Sequence, residues 1–202
     1  MIPFIDLSCQ HRPLEAELER VFTEVLRGSQ YILGPALSRF EEQMAQLHGV
    51  RHAIGVASGT DALLLGLLGA GVRPGDEVIT TPFTFVATAE VIEHAGARPV
   101  FVDIDAATFN LDPAQIEARI TERTRAIIPV HLYGLACDMA AIGKIAQRHK
   151  LKVIEDCAQA WGARYRGRPI GTVGHIACFS LQNSKHITCG DGGMVGSSDE
   201  RF

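Results

Sequence analysis

The stretch HAIGVASGTDALLLGLLGAG, residues 52–71, joins a strand pattern to a helix pattern and decides the fold class. Residues 52–58 are mostly apolar and predict a strand, whereas residues 60–71 are dense in leucine and alanine and predict a helix. The same alternation continues along the chain. Further strands are predicted at 77–82, 98–105, 124–134, 151–157, 175–180 and 192–198, and further helices at 85–96, 112–120 and 138–150.

Alternating strands and helices, with nearly continuous apolar strands, are typical of an α/β fold around a mostly parallel sheet. Two amphipathic helices are predicted ahead of it, over residues 13–32 and 35–50, with a glycine–proline pair between them. Asp112 and Asp138 are expected to cap the helices that follow them. Ligands of such sheets bind at the carboxyl ends of the strands, so a site is expected in the turns after the strands.

Composition limits the classes of function. The chain has 202 residues, 47% hydrophobic and 21% charged, with a net charge of -4, which fits a soluble globular protein of one large or two small domains. The slight negative charge and scattered basic residues argue against binding to nucleic acid or an anionic membrane.

The lack of a recognisable targeting signal and the cysteine pattern favour a cytoplasmic location. The N-terminal stretch MIPFIDLSCQHRP lacks the features of a signal peptide, and no apolar run reaches the length that spans a bilayer. The five cysteines are odd in number and show no CxxC spacing, so reduced thiols are expected rather than disulfides or a zinc site.

The first candidate site segment is ASGTDAL, residues 57–63, where a strand ends at Ser58 and a helix begins near Thr60. Gly59 lets the backbone approach a ligand closely, and the free N–H groups of a helix start favour a phosphate. The same residues also suit an ordinary helix cap, and their spacing matches neither a Walker A nor a GxGxxG motif. Both interpretations stay open on this motif alone.

The second segment is KVIEDCAQA, residues 152–160, in which Glu155 and Asp156 end a buried strand. Because side chains alternate along a strand, only one of the two can point into the mouth of the sheet, and Asp156 is nearer the carboxyl end. A carboxylate there can hold a protonated cofactor nitrogen or bind a metal, and it also suits a helix cap or an ordinary surface charge. No metal is expected, because no close histidine, cysteine or aspartate cluster supplies further ligands.

The third segment is CFSLQNSKHITCGDGG, residues 178–193, where Lys185 follows a predicted strand among glycine, serine and asparagine residues. A partly desolvated lysine at a strand end suits Schiff-base chemistry, although an isolated lysine is usually a solvated surface residue. Ser180 can donate to a phosphate. A phosphate cradle, an acid for a ring nitrogen and an amine that traps a carbonyl are the three groups that a pyridoxal phosphate site requires.

With these segments in this order, the sequence resembles the pyridoxal-phosphate-dependent sugar aminotransferases of the DegT/DnrJ/EryC1/StrS family. The resemblance covers essentially the whole chain. It implies a type I aminotransferase large domain, an α-β-α sandwich with helices on both faces of a mostly parallel central sheet. The motifs that carry it are IPFIDLSCQ (2–10), YILGPALSRFEEQMAQLHGVRHAIGVASGTDAL (31–63), GDEVITTPFTFVATAEVIEHAGARPVFVDID (75–105), PVHLYG (129–134), VIEDCAQAWGA (153–163) and FSLQNSKHITCGDGG (179–193).

The resemblance implies two catalytic residues. Lys185 corresponds to the lysine that forms the Schiff base with pyridoxal 5'-phosphate and then shuttles a proton between the substrate Cα and the cofactor C4'. Asp156 corresponds to the partner of the ring nitrogen. His131 and Tyr133, within PVHLYG, are expected near the site without an assigned role.

The cofactor-binding residues that the resemblance implies all follow strand ends or begin helices. Gln159 corresponds to a contact on the 3-hydroxyl side of the ring, and Phe85 to the aromatic that stacks on the ring, with a core phenylalanine as the alternative. The phosphate cradle is expected near Gly59, Thr60 and Ser180. The full set is Ser58, Gly59, Thr60, Phe85, Asp156, Gln159, Ser180 and Lys185.

Two features of the 179–193 motif bear on the reaction and on the substrate. Relatives that dehydrate sugars carry histidine at the Schiff-base position, but here that position is Lys185 and histidine follows as His186, so transamination is favoured over dehydration. Gln182 and Asn183 look more like members that act on cyclic polyols or aminocyclitol precursors, or like aminohydroxybenzoate synthases. Keto sugars and related cyclic ketones therefore both remain as acceptors.

For the whole enzyme, the resemblance implies transfer of an amino group from glutamate or glutamine, in amino-sugar, cell-surface polysaccharide or antibiotic biosynthesis. Residues 1–202 are expected to be the large domain of a homodimer, with a helical N-terminal segment to about residue 50 and the small C-terminal domain absent from this chain. Two alternatives stay open. One is a catalytically incomplete cofactor-binding or regulatory member, and the other is an α/β domain that binds no cofactor.

Overall fold

The computed structural model describes residues 6–202, so the first part of the 2–10 motif and of the segment considered for a signal peptide lies outside the described residues. The chain divides into two compact units, one ending at Phe40 and one spanning Glu41–Phe202. Between residues 6 and 202, no helix has both the length and the hydrophobicity needed to cross a membrane.

The first unit is helical. Helix α1 spans Leu7–His11, a 3₁₀ turn covers Arg12–Leu14, and α2 spans Glu15–Gly28. The continuous helix expected over 13–32 is thus shorter, because Ser29 adopts a left-handed conformation that ends α2. Helix α3 follows over Pro35–His48, and its residues from Glu41 onward belong to the second unit.

The second unit is built on a seven-stranded sheet with the strand order β1-β9-β8-β5-β4-β2-β3. Strand β9 runs antiparallel to both of its neighbours, and the other neighbouring pairs are parallel. A small hairpin of β6 and β7 stands apart. The strands are β1 His52–Val56, β2 Glu77–Thr80, β3 Arg98–Phe101, β4 Thr124–Ile127, β5 Lys152–Asp156, β6 Arg164–Tyr165, β7 Arg168–Pro169, β8 Ile176–Ser180 and β9 Gly193–Ser197.

Helices cover both faces of this sheet. On one face, α4 (Gly59–Gly69) and α5 (Ala87–His94) pack in one apolar cluster, and α6 (Met139–His149) packs in a second cluster on the other face. Consecutive strand residues divide between the two clusters, as Val78 and Ile79 of β2 do, because side chains alternate across a strand. The predicted α/β class with helices on both faces is confirmed.

Two expected elements differ in the structure. The prediction of a helix at 112–120 is wrong, because the segment forms two 3₁₀ turns, Pro113–Gln115 and Glu117–Arg119. The predicted cap at Asp112 is present, since its carboxylate accepts a hydrogen bond from the Ala114 amide. The turns keep Leu111 and Ile116 buried, and burial outweighs helix propensity here.

The strand expected at 124–134 ends at Ile127. Pro129 follows without an N–H group for the ladder, and Leu132–Gly134 turns with Tyr133 in a left-handed conformation. The short hairpin of β6 and β7 was not predicted, although its turn carries Arg166 and Gly167, both with positive φ. The cap at Asp138 is confirmed, since its carboxylate accepts the Ala141 amide.

His48 is a buried polar residue in the core of the second unit. Its ring packs against Phe179 and Trp161, at centroid distances of 4.5 and 5.4 Å, and neither ring nitrogen has a hydrogen-bond partner among the described residues. Burial lowers the pKa of His48. At mildly acidic pH, His48 therefore binds a proton in the unfolded chain but stays neutral in the folded chain.

We expect the free energy of unfolding to fall as the pH drops below about 6.5, and His48→Phe to flatten this dependence, because the substitution removes the group that protonates only on unfolding. Urea denaturation between about pH 5 and about pH 7.5 measures it. His94→Gln, at an exposed site, is the control that should keep the slope. An unchanged slope in His48→Phe would contradict this explanation.

Candidate active site

A cavity of about 440 Å³ opens at the carboxyl end of the sheet. The turns after β1, β5 and β8 and the start of α5 contribute its walls, as expected for a parallel sheet. The structure brings every residue of the expected cofactor-binding set to this cavity. The members are Ser58, Gly59, Thr60, Phe85, Asp156, Gln159, Ser180 and Lys185.

The start of α4 offers both a cap and free backbone donors. Ser58 caps the helix: its Oγ accepts the Asp61 amide at 3.0 Å and donates to Asp61 Oδ2 at 2.8 Å. The amides of Gly59 and Thr60 precede the first helical hydrogen bond, and within residues 6–202 neither has an acceptor. The motif is therefore a helix cap that also leaves two N–H groups and a positive helix end for an anion.

Glycines allow three chain segments to meet beside these amides. A Cβ on Gly59 would lie 2.7 Å from the Cβ of Ser180, and a Cβ on Gly193 would lie 2.2 Å from the carbonyl oxygen of Ser58. Such contacts are far inside normal packing distances. The end of β1, the end of β8 and the start of β9 can thus meet only with glycine at these positions.

Asp156 points into the cavity from the end of β5. Its Oδ2 accepts the Thr88 hydroxyl at 2.9 Å and its Oδ1 accepts the Ala158 amide at 3.1 Å. Burial raises the pKa of Asp156, and these two donors, with the nearby amine of Lys185, offset only part of that effect. A cation in the cavity would favour the ionised carboxylate.

Glu155, the neighbouring carboxylate, faces the other side of the sheet, as strand alternation requires. It accepts hydrogen bonds from the Gly171, Val173 and Gly174 amides and contacts His131 Nε2 at 2.9 Å. Burial alone would raise the pKa of Glu155, but these hydrogen bonds outweigh burial and lower it. Glu155 therefore holds the loop after β7 and does not belong to the cavity.

His131 lies behind the cavity rather than in it. Its Nδ1 accepts the Cys137 amide at 3.1 Å, so the ring proton lies on Nε2 and is donated to Glu155. The structure thus forms a cluster that the sequence did not indicate, His131 with Glu155 and Cys157, close enough for a shared metal ion. Hydrogen bonds already occupy both histidine nitrogens and both glutamate oxygens, so the cluster is satisfied without a metal.

Lys185 is half-buried in the loop after β8 and lines the same cavity as Asp156. Its amide donates to the Gln182 carbonyl at 2.9 Å, and the Gln182 side chain in turn accepts the Ser184 amide at 2.9 Å. These local bonds give the loop a defined turn. Lys185 is the only lysine among the described residues that line the cavity.

Gln159 and Phe85 complete the expected set. Gln159 Oε1 accepts the Tyr133 amide at 3.2 Å, which ties the loop after β4 to the cavity wall and leaves the side-chain NH₂ free of that bond. Phe85 is 68% exposed at the cavity, so its interpretation as a core phenylalanine is wrong. Tyr133 is itself exposed and does not line the cavity.

Sequence reasoning missed two hydroxyls that line the cavity, those of Thr84 and Thr88. They belong to TFVATA, at the start of α5, where threonines are ordinary helix-start residues, so only the fold shows that they reach Asp156. All five cysteines are free, as the sequence predicted.

Gly193→Ala is expected to destabilise the protein by about 1–3 kcal/mol, because the added methyl group meets the Ser58 carbonyl and must displace the start of α4. Gly143→Ala is the matched control: it lies within α6 with no atom within 4 Å of its added Cβ, and should gain about 0.5–1 kcal/mol. Thermal denaturation measures both. Equal melting temperatures for the two variants would contradict the proposed contact.

The family model of the DegT/DnrJ/EryC1/StrS aminotransferase family matches residues 13–202. The chain is 52% identical over its whole length to a pleiotropic regulatory protein of Geobacillus stearothermophilus, of which it covers 54%. It is 50% identical over 98% of its length to UDP-N-acetyl-3-dehydro-alpha-D-glucosamine 3-aminotransferase of Acidithiobacillus ferrooxidans, again covering 54%. It is 47% identical over its whole length to UDP-2-acetamido-2-deoxy-3-oxo-D-glucuronate aminotransferase of Pseudomonas aeruginosa, covering 56%.

Solved structures agree with these matches. The fold superposes on Streptomyces venezuelae DesV in complex with a ketimine intermediate with a TM-score of 0.96, at 45% identity over 99% of this chain and 54% of that one. It superposes on NtdA of Bacillus subtilis with bound cofactor PMP with a TM-score of 0.92, at 37% identity over 99% of this chain and 46% of that one. The chain thus spans about half the length of the proteins it matches.

Proposed function

The chain belongs to the DegT/DnrJ/EryC1/StrS aminotransferase family, and on that basis we propose that it is the large domain of an aminotransferase that uses pyridoxal 5'-phosphate. The enzyme would transfer an amino group from glutamate or glutamine to a keto sugar. The observation that carries this proposal is that Lys185, Asp156 and the free amides of α4 line one cavity. The relatives at 50% and 47% identity are named for 3-dehydro and 3-oxo UDP-sugars, which supports a nucleotide-linked 3-oxo sugar as acceptor.

The cavity fits this cofactor on three independent counts. Two unpaired backbone amides at a helix start, with the Ser180 hydroxyl near them, suit a phosphate. A buried carboxylate that a nearby cation would keep ionised suits a protonated ring nitrogen. A half-buried lysine on the same cavity suits an aldehyde.

Asp156 is proposed to hold the proton on the ring nitrogen. When bound, the cofactor supplies an electron sink for the pair of electrons released as the substrate Cα–H bond breaks. Asp156 keeps that sink effective, because an ionised carboxylate favours the protonated nitrogen. Its two hydrogen bonds, from Thr88 and Ala158, fix the carboxylate against β5 so that it need not reorganise.

Lys185 is proposed to act twice. Its Nζ would hold the cofactor by condensing with the aldehyde with release of water, and the same amine, once the amino donor has replaced it, would take the proton from the substrate Cα and return it to the cofactor. The acceptor sugar is aminated by the same proton movements in reverse order. Phe85, exposed at the cavity, is proposed to cover the ring face, and the NH₂ of Gln159 to donate to the ring 3-oxygen.

We also propose how this chain fits into the whole enzyme. Residues 1–202 would form the cofactor-binding domain of a longer, cytoplasmic homodimer whose small domain lies outside this sequence. A second candidate function is regulation, which the name of the 52% identical relative favours. A regulatory protein can keep the cofactor site and lack turnover, so binding alone does not separate the two.

Lys185→Ala should abolish both the near-visible absorbance that forms on adding pyridoxal phosphate and the stable adduct left by borohydride, because no other lysine lines the cavity among residues 6–202. Lys144→Ala, at an exposed site on α6, is the matched control and should retain both. Absorbance spectra and peptide mapping of the reduced adduct measure them. An adduct of equal yield in Lys185→Ala would refute the assignment.

Glutamate or glutamine should bleach the near-visible band of the cofactor-loaded protein and release the corresponding keto acid in stoichiometric amount, because Lys185 can complete the first half-reaction without the sugar. Stopped-flow absorbance and keto-acid analysis follow it. A loaded protein that neither bleaches nor releases keto acid would favour the regulatory function.

A further inference from the structure

A chain of two hydroxyl groups leads to the buried carboxylate of Asp156. Thr88 Oγ1 lies 2.9 Å from Asp156 Oδ2, and Thr84 Oγ1 lies 3.0 Å from Thr88 Oγ1. Thr88 is almost completely buried, whereas Thr84 is half-buried at the cavity wall. The chain therefore runs from the cavity surface to the acid.

The polarity of this chain follows from the charge of Asp156. An ionised carboxylate only accepts hydrogen bonds, so Thr88 must donate its single hydroxyl proton to Asp156. Thr88 can then only accept from Thr84, which fixes the Thr84 hydroxyl as the first donor. Each bond polarises the next, so both hydroxyl dipoles point their positive ends at the carboxylate.

The backbone adds to the same effect. Thr88 is the second residue of α5, so the carboxylate that it holds lies beside the positive end of that helix. The only other hydrogen bond to the carboxylate among the described residues comes from the Ala158 amide, within the turn after β5. Thr88 is thus the donor that ties Asp156 to a different element of the fold.

We propose that Thr88, supported by Thr84, is a positioning residue that keeps the Asp156 carboxylate ionised and oriented toward the ring nitrogen of the cofactor. Neither threonine needs to touch the reacting atoms. The ring-nitrogen part of this inference rests on the proposed function, whereas the effect on the Asp156 carboxylate does not.

Other titratable groups surround Asp156 and must be common to all variants compared. Lys185, in the loop after β8, lowers the pKa of Asp156, and His131, after β4, lies near it. Glu155 precedes it on β5, and the buried thiols nearby are those of Cys137, Cys157 and Cys178. Substitutions at Thr84 and Thr88 leave each of these groups in place.

Infrared difference titration of this chain without cofactor tests the carboxylate directly. The carbonyl band of protonated Asp156 is identified by its absence in Asp156→Asn. We expect Thr88→Val to raise the midpoint of this band by about one pH unit, the worth of one hydrogen bond to a charged group. Thr88→Ser, which keeps the hydroxyl, should titrate like the parent, and Thr84→Val should shift less in the same direction.

Cofactor analogues test the link to the ring nitrogen. Thr88→Val should weaken binding of pyridoxal phosphate about tenfold, the same one unit of pKa expressed as an equilibrium constant. It should leave binding of 1-deazapyridoxal phosphate, which has carbon in place of the ring nitrogen, unchanged. A general packing defect would weaken both ligands equally.

Two results would overturn the proposal. One is an identical Asp156 midpoint in the parent, Thr88→Val and Thr84→Val. The other is an equal loss of affinity for both cofactor analogues in Thr88→Val. If the parent binds neither analogue, the proposed function fails, and the infrared midpoints still decide the role of Thr88.

Discussion

The burial of the Asp156 carboxylate at the end of β5 is the constraint on which the rest of the cavity depends. A carboxylate that is shielded from water stays ionised only when hydrogen-bond donors and a cation lie nearby. The fold supplies donors from α5 and from the turn after β5, and a lysine from the loop after β8 lines the same cavity. A protonated ring nitrogen would supply the cation.

The parallel sheet explains why these groups meet. Strands β1, β5 and β8 all point their carboxyl ends to one edge, and β9 returns from that edge antiparallel between β1 and β8. Glycines at 59 and 193 remove the side chains that would keep the strand ends apart. The cavity therefore offers backbone donors to an anion and a carboxylate to a cation.

Many of the residues that line the cavity could be predicted from the sequence, because strand ends and helix starts carry local signals. Ser58, Asp156 and Lys185 each follow an apolar run, and the fold brings them to one cavity. Contacts that depend on the tertiary fold could not be predicted from the sequence. The Thr88 hydrogen bond joins residues 68 positions apart, and the helix expected at 112–120 gave way to burial of neighbouring residues.

The most direct measurement is the ¹⁵N chemical shift of pyridoxal phosphate labelled at the ring nitrogen and bound to this chain. If the Asp156 carboxylate holds the ring proton, the shift stays that of a protonated nitrogen above the pH at which the free cofactor loses that proton, and Asp156→Asn moves it to the neutral value. A neutral-nitrogen shift in the parent protein would contradict the role of Asp156 on which the proposed chemistry depends.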